Sequence, residues 1–391
     1  MSSFQQVLPK GFHAFHPDVS LNFQMNRWWS WVGEDEMLAE LFEAAPRIRD
    51  YRDWKREFTR LARGAEAAGR LAPAAYHWRS ADFFMLPDDA DRPHARHRFL
   101  ELARGLHGLG PDDLHRVPYP PGGSQAWLTA IELKPPGAVK DTVLFFGGFD
   151  SYIEELLPAL RYLGQAGLRV IAFEGPGQGS TLHEAGLTMT PDWHLPVAAV
   201  LDHFDVTEAS AIGLSLGGCL VIRAAAREPR LRRVVAYDIL TDFFEVNLRQ
   251  AGPWLAALMR ALVSAGAAPL VNAALRAAAG RRPVIAWGLV QGMHVTGTRS
   301  PYAFLEQVQR YRTDDVSAAL AQDVLLLAGA DDHFVPLHQL ADQQQGLTRA
   351  RSVATRVFTA EESAASHCQA GNYQLALDVM LDWLRLARER E

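Results

Sequence analysis

Ala211-Ile212-Gly213-Leu214-Ser215-Leu216-Gly217-Gly218 decides how the rest of the chain is read. An apolar run ends on a serine with a glycine two residues to either side, and small residues then open a helical pattern. The spacing G-x-S-x-G alone arises by chance in roughly one chain in ten of this length. Its position between a strand and a helix gives it weight. A serine lifted onto a tight turn needs neighbours without side chains that would strike the backbone. A hydroxyl is a poor nucleophile without a base beside it, so the reading requires partners elsewhere in the chain.

Downstream, Val324-Leu325-Leu326-Leu327 leads into Gly329-Ala330-Asp331-Asp332-His333-Phe334-Val335-Pro336. A carboxylate just past a buried strand can reach an imidazole at the same sheet edge, and both Asp331 and Asp332 qualify by position. His367, in Ser366-His367-Cys368-Gln369, lies between the last strand and the last helix. It is the expected base, because the order Ser, acid, His fits a strand-turn-helix serine; His333 sits beside the acid rather than on a loop of its own. Upstream, Phe145-Phe146-Gly147-Gly148-Phe149-Asp150-Ser151 is a second strand end with paired glycines. Such a turn aims backbone amides at a developing alkoxide, and Phe149 and Leu216 are the expected donors. Gly148 and Asp150 are the expected substrate contacts, with Asp150 as a helix cap the alternative. Glu174-Gly175-Pro176-Gly177-Gln178-Gly179 lacks the Lys-Ser/Thr ending of a phosphate loop and reads as a pocket-shaping turn. No metal-ligand spacing and no cofactor motif is found.

Working outward, the chain has 391 residues, 48% hydrophobic and 21% charged, enough apolar material for a large core. A net charge of −6 argues against a nucleic-acid partner. All but Lys10, Lys55, Lys134 and Lys140 of the 39 basic residues are arginines. The two cysteines, Cys219 and Cys368, are too few for a disulfide scaffold and read as small packing residues in a reducing cytoplasm. No secretory leader is read at residues 1–10. The most apolar stretch, Trp254 to Gly280, is interrupted by Arg260 and Arg276, so no membrane span is expected.

A Pro/Gly cluster at Pro118–Gly123 divides two patterns. Before it, Glu34–Ala45, Tyr51–Arg70, Pro73–Met85 and Arg92–Leu106 show helical spacing, with Trp54, Phe58, Leu61 and Ala62 on one face. Trp28, Trp29, Trp31, Trp54 and Trp78 fall in this half and are expected to pack helices, a cavity lining being the alternative. After it, strands at Trp127–Leu133, Thr142–Phe146, Arg169–Phe173, Ala209–Gly213, Arg233–Tyr237, Asp323–Ala328 and Thr355–Phe358 alternate with helices. That alternation predicts an α/β fold, a mostly parallel sheet with helices on both faces. The expected organisation is a helical N-terminal cap over 1–118 and a catalytic domain over 119–391. The interval 240–320 has no convincing strand and is expected to be a helical lid, placed with the N-terminal cap over the mouth of the site.

Taken together, the motifs resemble one branch of the α/β-hydrolases. The matching residues are Phe15-His16-Pro17-Asp18, Leu21-Asn22-Phe23-Gln24, Gly147-Gly148-Phe149-Asp150-Ser151 with Glu154-Glu155, Gly175-Pro176-Gly177-Gln178-Gly179, the Ser215 turn, and His367-Cys368-Gln369 with Gly371-Asn372. The branch includes FrsA-like proteins, 2,6-dihydroxypseudooxynicotine hydrolase and fungal hydrolases that shorten a polyketide in pigment biosynthesis. Glu174 stands where the branch leads one to expect aspartate, and Ala364-Ala365-Ser366 replaces an acidic lead-in. The resemblance implies that Asp332, three residues before the valine of Val335-Pro336, is the acid. It further implies a cofactor-independent enzyme that hydrolyses a C–C bond next to a carbonyl in a β-dicarbonyl, aryl ketone or polyketide-like molecule. Ester or thioester hydrolysis, elimination with His367 as base, and a non-catalytic binding module are the alternatives. The expected partner is a small-molecule substrate, with homodimerisation left open.

Overall fold

The computed structural model describes residues 7–249 and 252–390. Five helices come first: α1 (Val19–Val32), α2 (Asp35–Ala44), α3 (Tyr51–Ala67), α4 (Leu71–Phe83) and α5 (Arg92–Leu106). Their starts are set locally. Asp18 and Asp50 accept amide hydrogens of the first turns of α1 and α3. Trp54, Phe58, Leu61 and Ala62 of α3 are buried, as their spacing predicts. The branch-matching residues at the start do structural work. The side chain of Asn22 accepts from the amides of Phe15 and His16 at 2.8 and 3.0 Å, and Asn26 pairs with the backbone of His13.

The sheet follows: β1 (Leu114–Pro118), β2 (Trp127–Leu133), β3 (Asp141–Phe146), α6 (Leu157–Gln165), β4 (Leu168–Glu174), α7 (Gly179–His183), α8 (His194–His203), β5 (Ala209–Leu214), α9 (Leu216–Ala225) and β6 (Leu231–Tyr237). The insertion carries α10 (Phe243–Leu248), α11 (Pro253–Ser264), α12 (Ala268–Ala279), α13 (Pro283–Thr296) and α14 (Pro301–Val308). β7 (Asp323–Gly329), α15 (His338–Gly346), β8 (Ser352–Phe358) and α16 (Tyr373–Arg388) complete the chain. Strand order is β1-β2-β4-β3-β5-β6-β7-β8. β1–β2 and β2–β4 run antiparallel and the other pairs parallel, the fold expected from the alternating pattern.

One boundary is corrected. Leu114–Pro118 is a sheet strand, in register with Trp127–Ile131, so Pro118–Gly123 is the turn of an antiparallel pair rather than a linker between domains. The sheet therefore begins before residue 119. β1 is an edge strand ending in proline, where a missing amide hydrogen is tolerated.

The two sheet faces carry separate cores. The N-terminal helices share one with α6 and α16. The insertion shares the other with α8 and α9. The chain's two ends meet on the first face: the Gly11 amide donates to the Gly371 carbonyl at 2.7 Å, and the Gly371 amide to Ser30 Oγ at 3.1 Å. Both helical regions also reach the C-terminal strand edge, where ligands bind in open α/β sheets. Phe23 of α1 packs against His333, Phe334 and His367. Phe83, at the end of α4, stacks on Trp287 of α13 with ring centroids 5.3 Å apart. No described helix is long and apolar enough to cross a membrane.

Candidate active site

Four strand ends converge. β5 delivers Ser215 in a left-handed conformation, φ 61° and ψ −124°, which a side-chain-bearing residue adopts only under constraint. The constraint is visible: the Ser215 amide donates to the Tyr237 carbonyl at 2.7 Å, and the Gly218 amide to the Ser215 carbonyl at 2.7 Å. A Cβ on Gly213 would lie 2.0 Å from the Gly217 carbonyl oxygen, and one on Gly218 2.2 Å from that of Asp238. The glycines are thus required by close backbone approach, as the sequence spacing implied.

Ser215 Oγ lies 2.8 Å from His367 Nε2, and His367 Nδ1 lies 2.6 Å from Asp332 Oδ2. Asp332 Oδ1 accepts the amides of Phe334 and Val335 at 2.6 and 2.9 Å. Burial works to raise the Asp332 carboxyl, but the imidazole of His367 and the Val335 amide outweigh it and hold it down to about 2. Asp331 is exposed and its side chain joins none of these contacts among the described residues. His333 makes no bond to Ser215; its ring stacks near Phe334 and Phe23. The His367 loop is held from below by the Tyr237 hydroxyl, which donates to the Cys368 carbonyl at 3.0 Å, and Cys368 and Gln369 both take positive φ. The Cys219 thiol is buried and pushed up to about 12 by that burial, which suits packing rather than reactivity.

Gly147-Gly148-Phe149 presses onto the Ser215 turn. A Cβ on Gly148 would lie 2.9 Å from both the Leu216 amide nitrogen and Ser215 Cβ. Among the described residues no acceptor takes the amides of Phe149 or Leu216. Asp150 is not a helix cap: no side chain caps the turn that starts at Ile153. Its carboxylate pairs with Arg27 of α1 at 3.2 Å, and its carbonyl accepts from Arg79 Nη2 at 2.5 Å.

Sequence reasoning missed three supports. Gln178 Nε2 donates to the carbonyls of Gly147 and Gly148 at 2.7 and 2.9 Å, so the Gly175–Gly179 turn fixes the shape of the amide turn rather than only a pocket floor. Glu174 accepts from the amides of Ile153 and Ser180, and Gly179 leaves it room, since a Cβ there would meet its carboxylate at 1.8 Å. Burial and then the charge of Glu154 push the Glu174 carboxyl up to about 8. Asp238, at the end of β6, is 1% exposed, accepts the Cys368 amide at 3.1 Å and lies 3.8 Å from His367 Nδ1. Burial and then the Asp332 charge drive it well above the usual carboxylate range. Its only signal in the sequence is a carboxylate directly after a buried strand.

The five N-terminal tryptophans are buried and pack the helices. The hollow beside the amide turn is lined instead by Phe83 and Trp287.

Comparison with known proteins agrees with this fold. The hydrolase LUC6 of a Fusarium species is 30% identical over 237 residues, covering 56% of this chain and 54% of that protein, so the chain spans about half the length of this relative. The 20-hydroxy-prefusarin hydrolase FUS2 of Gibberella moniliformis is 28% identical over 338 residues, 76% of this chain and 78% of that one. The crystal structure of the 2,6-dihydroxy-pseudo-oxynicotine hydrolase superposes with a TM-score of 0.61 over 93% of this chain and 95% of its own, at 19% identity, a likeness of fold. Residues 145–358 match the model of the alpha/beta hydrolase fold family, and the chain belongs to that family.

Proposed function

We propose that the protein is a serine hydrolase that cleaves a C–C bond next to a carbonyl, in a β-dicarbonyl, aryl ketone or polyketide-like small molecule. The observation that carries this reading is the unbroken contact from Ser215 through His367 to Asp332, with the Phe149 and Leu216 amides beside the serine. In that reading Ser215 Oγ attacks the carbonyl carbon while His367 Nε2 takes its proton. Asp332 fixes the imidazole tautomer and stabilises the imidazolium. The two amides hold the oxyanion. On collapse the C–C bond breaks, its electron pair moves into the second carbonyl as an enol, and His367 returns the proton. Water, activated by His367, then frees the acyl group and restores Ser215. Ester hydrolysis uses the same parts with an easier leaving group. The aromatic cover of Phe23 on His367 and of Phe83 on Trp287 supports the harder reaction, because excluding water strengthens the contacts that hold developing charge. The name of the FUS2 relative is consistent with a hydrolase acting on a natural-product-like substrate.

The test pairs an activated ester with a panel of β-diketones. Wild-type protein is expected to cleave both and to show an acyl mass increment on Ser215. Ser215→Ala should remove the increment and lower turnover by about 10⁴-fold or more, and Asp332→Asn by on the order of 10⁴-fold, with Asp331→Asn nearly silent. Retained turnover in Ser215→Ala would exclude the nucleophile and leave His367-driven elimination in its place. Ester turnover without any C–C cleavage would make the protein an esterase.

A further inference from the structure

A small hollow, partly open to solvent, adjoins the amide turn; Phe149, Asp150, Tyr152, Arg79, Arg92 and His183 are among the residues that line it. Arg92, in the first turn of α5, is 5% exposed. Its Nε donates to Asp82 at 3.2 Å, while its Nη1 is buried with no partner. Arg96, one turn further along the same face of α5, is half-buried and forms no ion pair or hydrogen bond among the described residues. The Tyr152 hydroxyl and His294 Nε2 are also buried without partners. His183 stacks between these two rings, 6.1 Å from Tyr152 and 5.4 Å from His294.

Charge around this hollow does not balance. Arg79 and Arg92 line it, Arg27 is tied to Asp150 at its edge, and Arg96 lies close enough for its charge to act on His183. Against them stand the carboxylates of Asp82, Asp150 and Glu155, each already bonded to Arg27, Arg79 or Arg92. Glu154 is taken by Arg104. His183 registers the excess: burial and then the charges of Arg96 and Arg92 push it down to about 2, so it adds no charge of its own and can still donate an N–H. Among the described residues Arg96 has no carboxylate partner, and Arg92 Nη1 is a buried donor left without an acceptor, which is costly. A ligand oxyanion here would satisfy Arg92 Nη1, Arg96 and the Tyr152 hydroxyl together.

Resting on the hydrolase reading above, we infer that the substrate carries an anionic oxygen group, a carboxylate or an ionised enol, which docks in this hollow against Arg92 and Arg96 while its scissile carbonyl lies at Ser215. The two arginines then act as specificity determinants. Arg27 and Arg79, locked in ion pairs, hold the wall on which the anion rests.

Two arms test this and separate the sources. In the first, kcat/KM is compared for the p-nitrophenyl half-ester of glutarate and for p-nitrophenyl pentanoate. In the second, calorimetry on Ser215→Ala compares an ionised cyclic 1,3-diketone with its neutral enol methyl ether. The anionic probe is expected to be preferred by about tenfold or more in at least one arm, as charge-assisted hydrogen bonds imply. The arm in which it wins names the carboxylate or the enolate. Arg96→Gln should collapse that preference, and so should Arg92→Gln if it folds; Arg96, which has no structural partner, carries the test alone if it does not. Equal or better performance of the neutral probes in both arms overturns the inference, as does an unchanged ratio in Arg96→Gln. The binding arm needs no turnover. A failed nucleophile would therefore sink the hydrolase reading without touching it, and a Ser215-dependent esterase with no anion preference would do the reverse.

Discussion

Arg79 of α4 is 2% exposed and bonded to Glu155, Asp82 and the Asp150 carbonyl; Trp254 of α11 is 89% exposed and joins neither hydrophobic core. The two helical regions meet over the site at Phe83 and Trp287, yet they are held there differently. The N-terminal helices are tied to the amide turn by buried ion pairs that cross from α1 and α4 to residues 150–155. The insertion has no such buried ion pairs to the amide turn among the described residues, and it leaves Leu255, Leu258 and Leu270 about half exposed or more. Buried charges that are fully partnered fix one arrangement, whereas loosely packed apolar helices open at low cost. We propose that the first region fixes the geometry of the site and the second governs access to it.

The largest effect expected from this contrast is at Arg79. Arg79→Leu strips partners from buried Glu155 and Asp82 and should cost about 3–5 kcal/mol in urea unfolding, with turnover falling as the turn at Asp150 loosens. A loss under about 1 kcal/mol would mean that the ion pairs do not tie the two parts together. An intermediate effect is expected from acid. Burial works to raise Glu40, but His77 and Arg70 outweigh it and bring it down to about 2 from an ordinary 4.5. A carboxyl so depressed contributes stability above about 4.5, and that contribution is lost as pH falls toward 2. Burial lowers His77, which acts in the same direction. Hydrogen exchange, corrected for intrinsic rates, should therefore show α2–α4 losing protection over that window before the cores of the sheet. Simultaneous loss everywhere would erase the distinction. The smallest effect is at the insertion's surface. Trp254→Ser and Leu258→Ser should change stability by no more than about 0.5 kcal/mol. A larger loss would show that these side chains are covered in solution.

Much of this was legible before any coordinates. The strands that sit in the middle of the sheet read clearly because both faces are covered and the runs are continuously apolar, as in β5 and β7. The limits of α5 and α16 were read directly, Arg92–Leu106 and Tyr373–Arg388. β1 was not, because an edge strand of five residues with His115 and Arg116 in it has no apolar signature. α1 was seen only as a motif, since a helix buried nearly all round carries little periodicity. Order and spacing pointed to Ser215 and His367 but left Asp331 and Asp332 open, and only the family resemblance chose Asp332, the one that meets His367 here. Gln178, Asp238 and the arginines at Arg27 and Arg79 did not. Their partners lie far along the chain, 30 residues for Gln178 to Gly148 and 123 for Arg27 to Asp150, and local sequence holds no record of such distances.

The pairing of Gly371 with Gly11 and Ser30 bears on how the molecule is made. Ser30 and the Gly371 amide it receives are 341 residues apart, and His367 lies just before that junction. A ribosome delivers α1 before the sheet, and the sheet before the loop that carries His367. Phe23, which packs against the His367 ring, waits through the synthesis of the whole sheet for its counterpart. Ser215, Asp332 and His367 cannot be brought into register until the His367 loop has been made. On the hydrolase reading proposed above, the Ser215 hydroxyl therefore has no base beside it until that late contact forms.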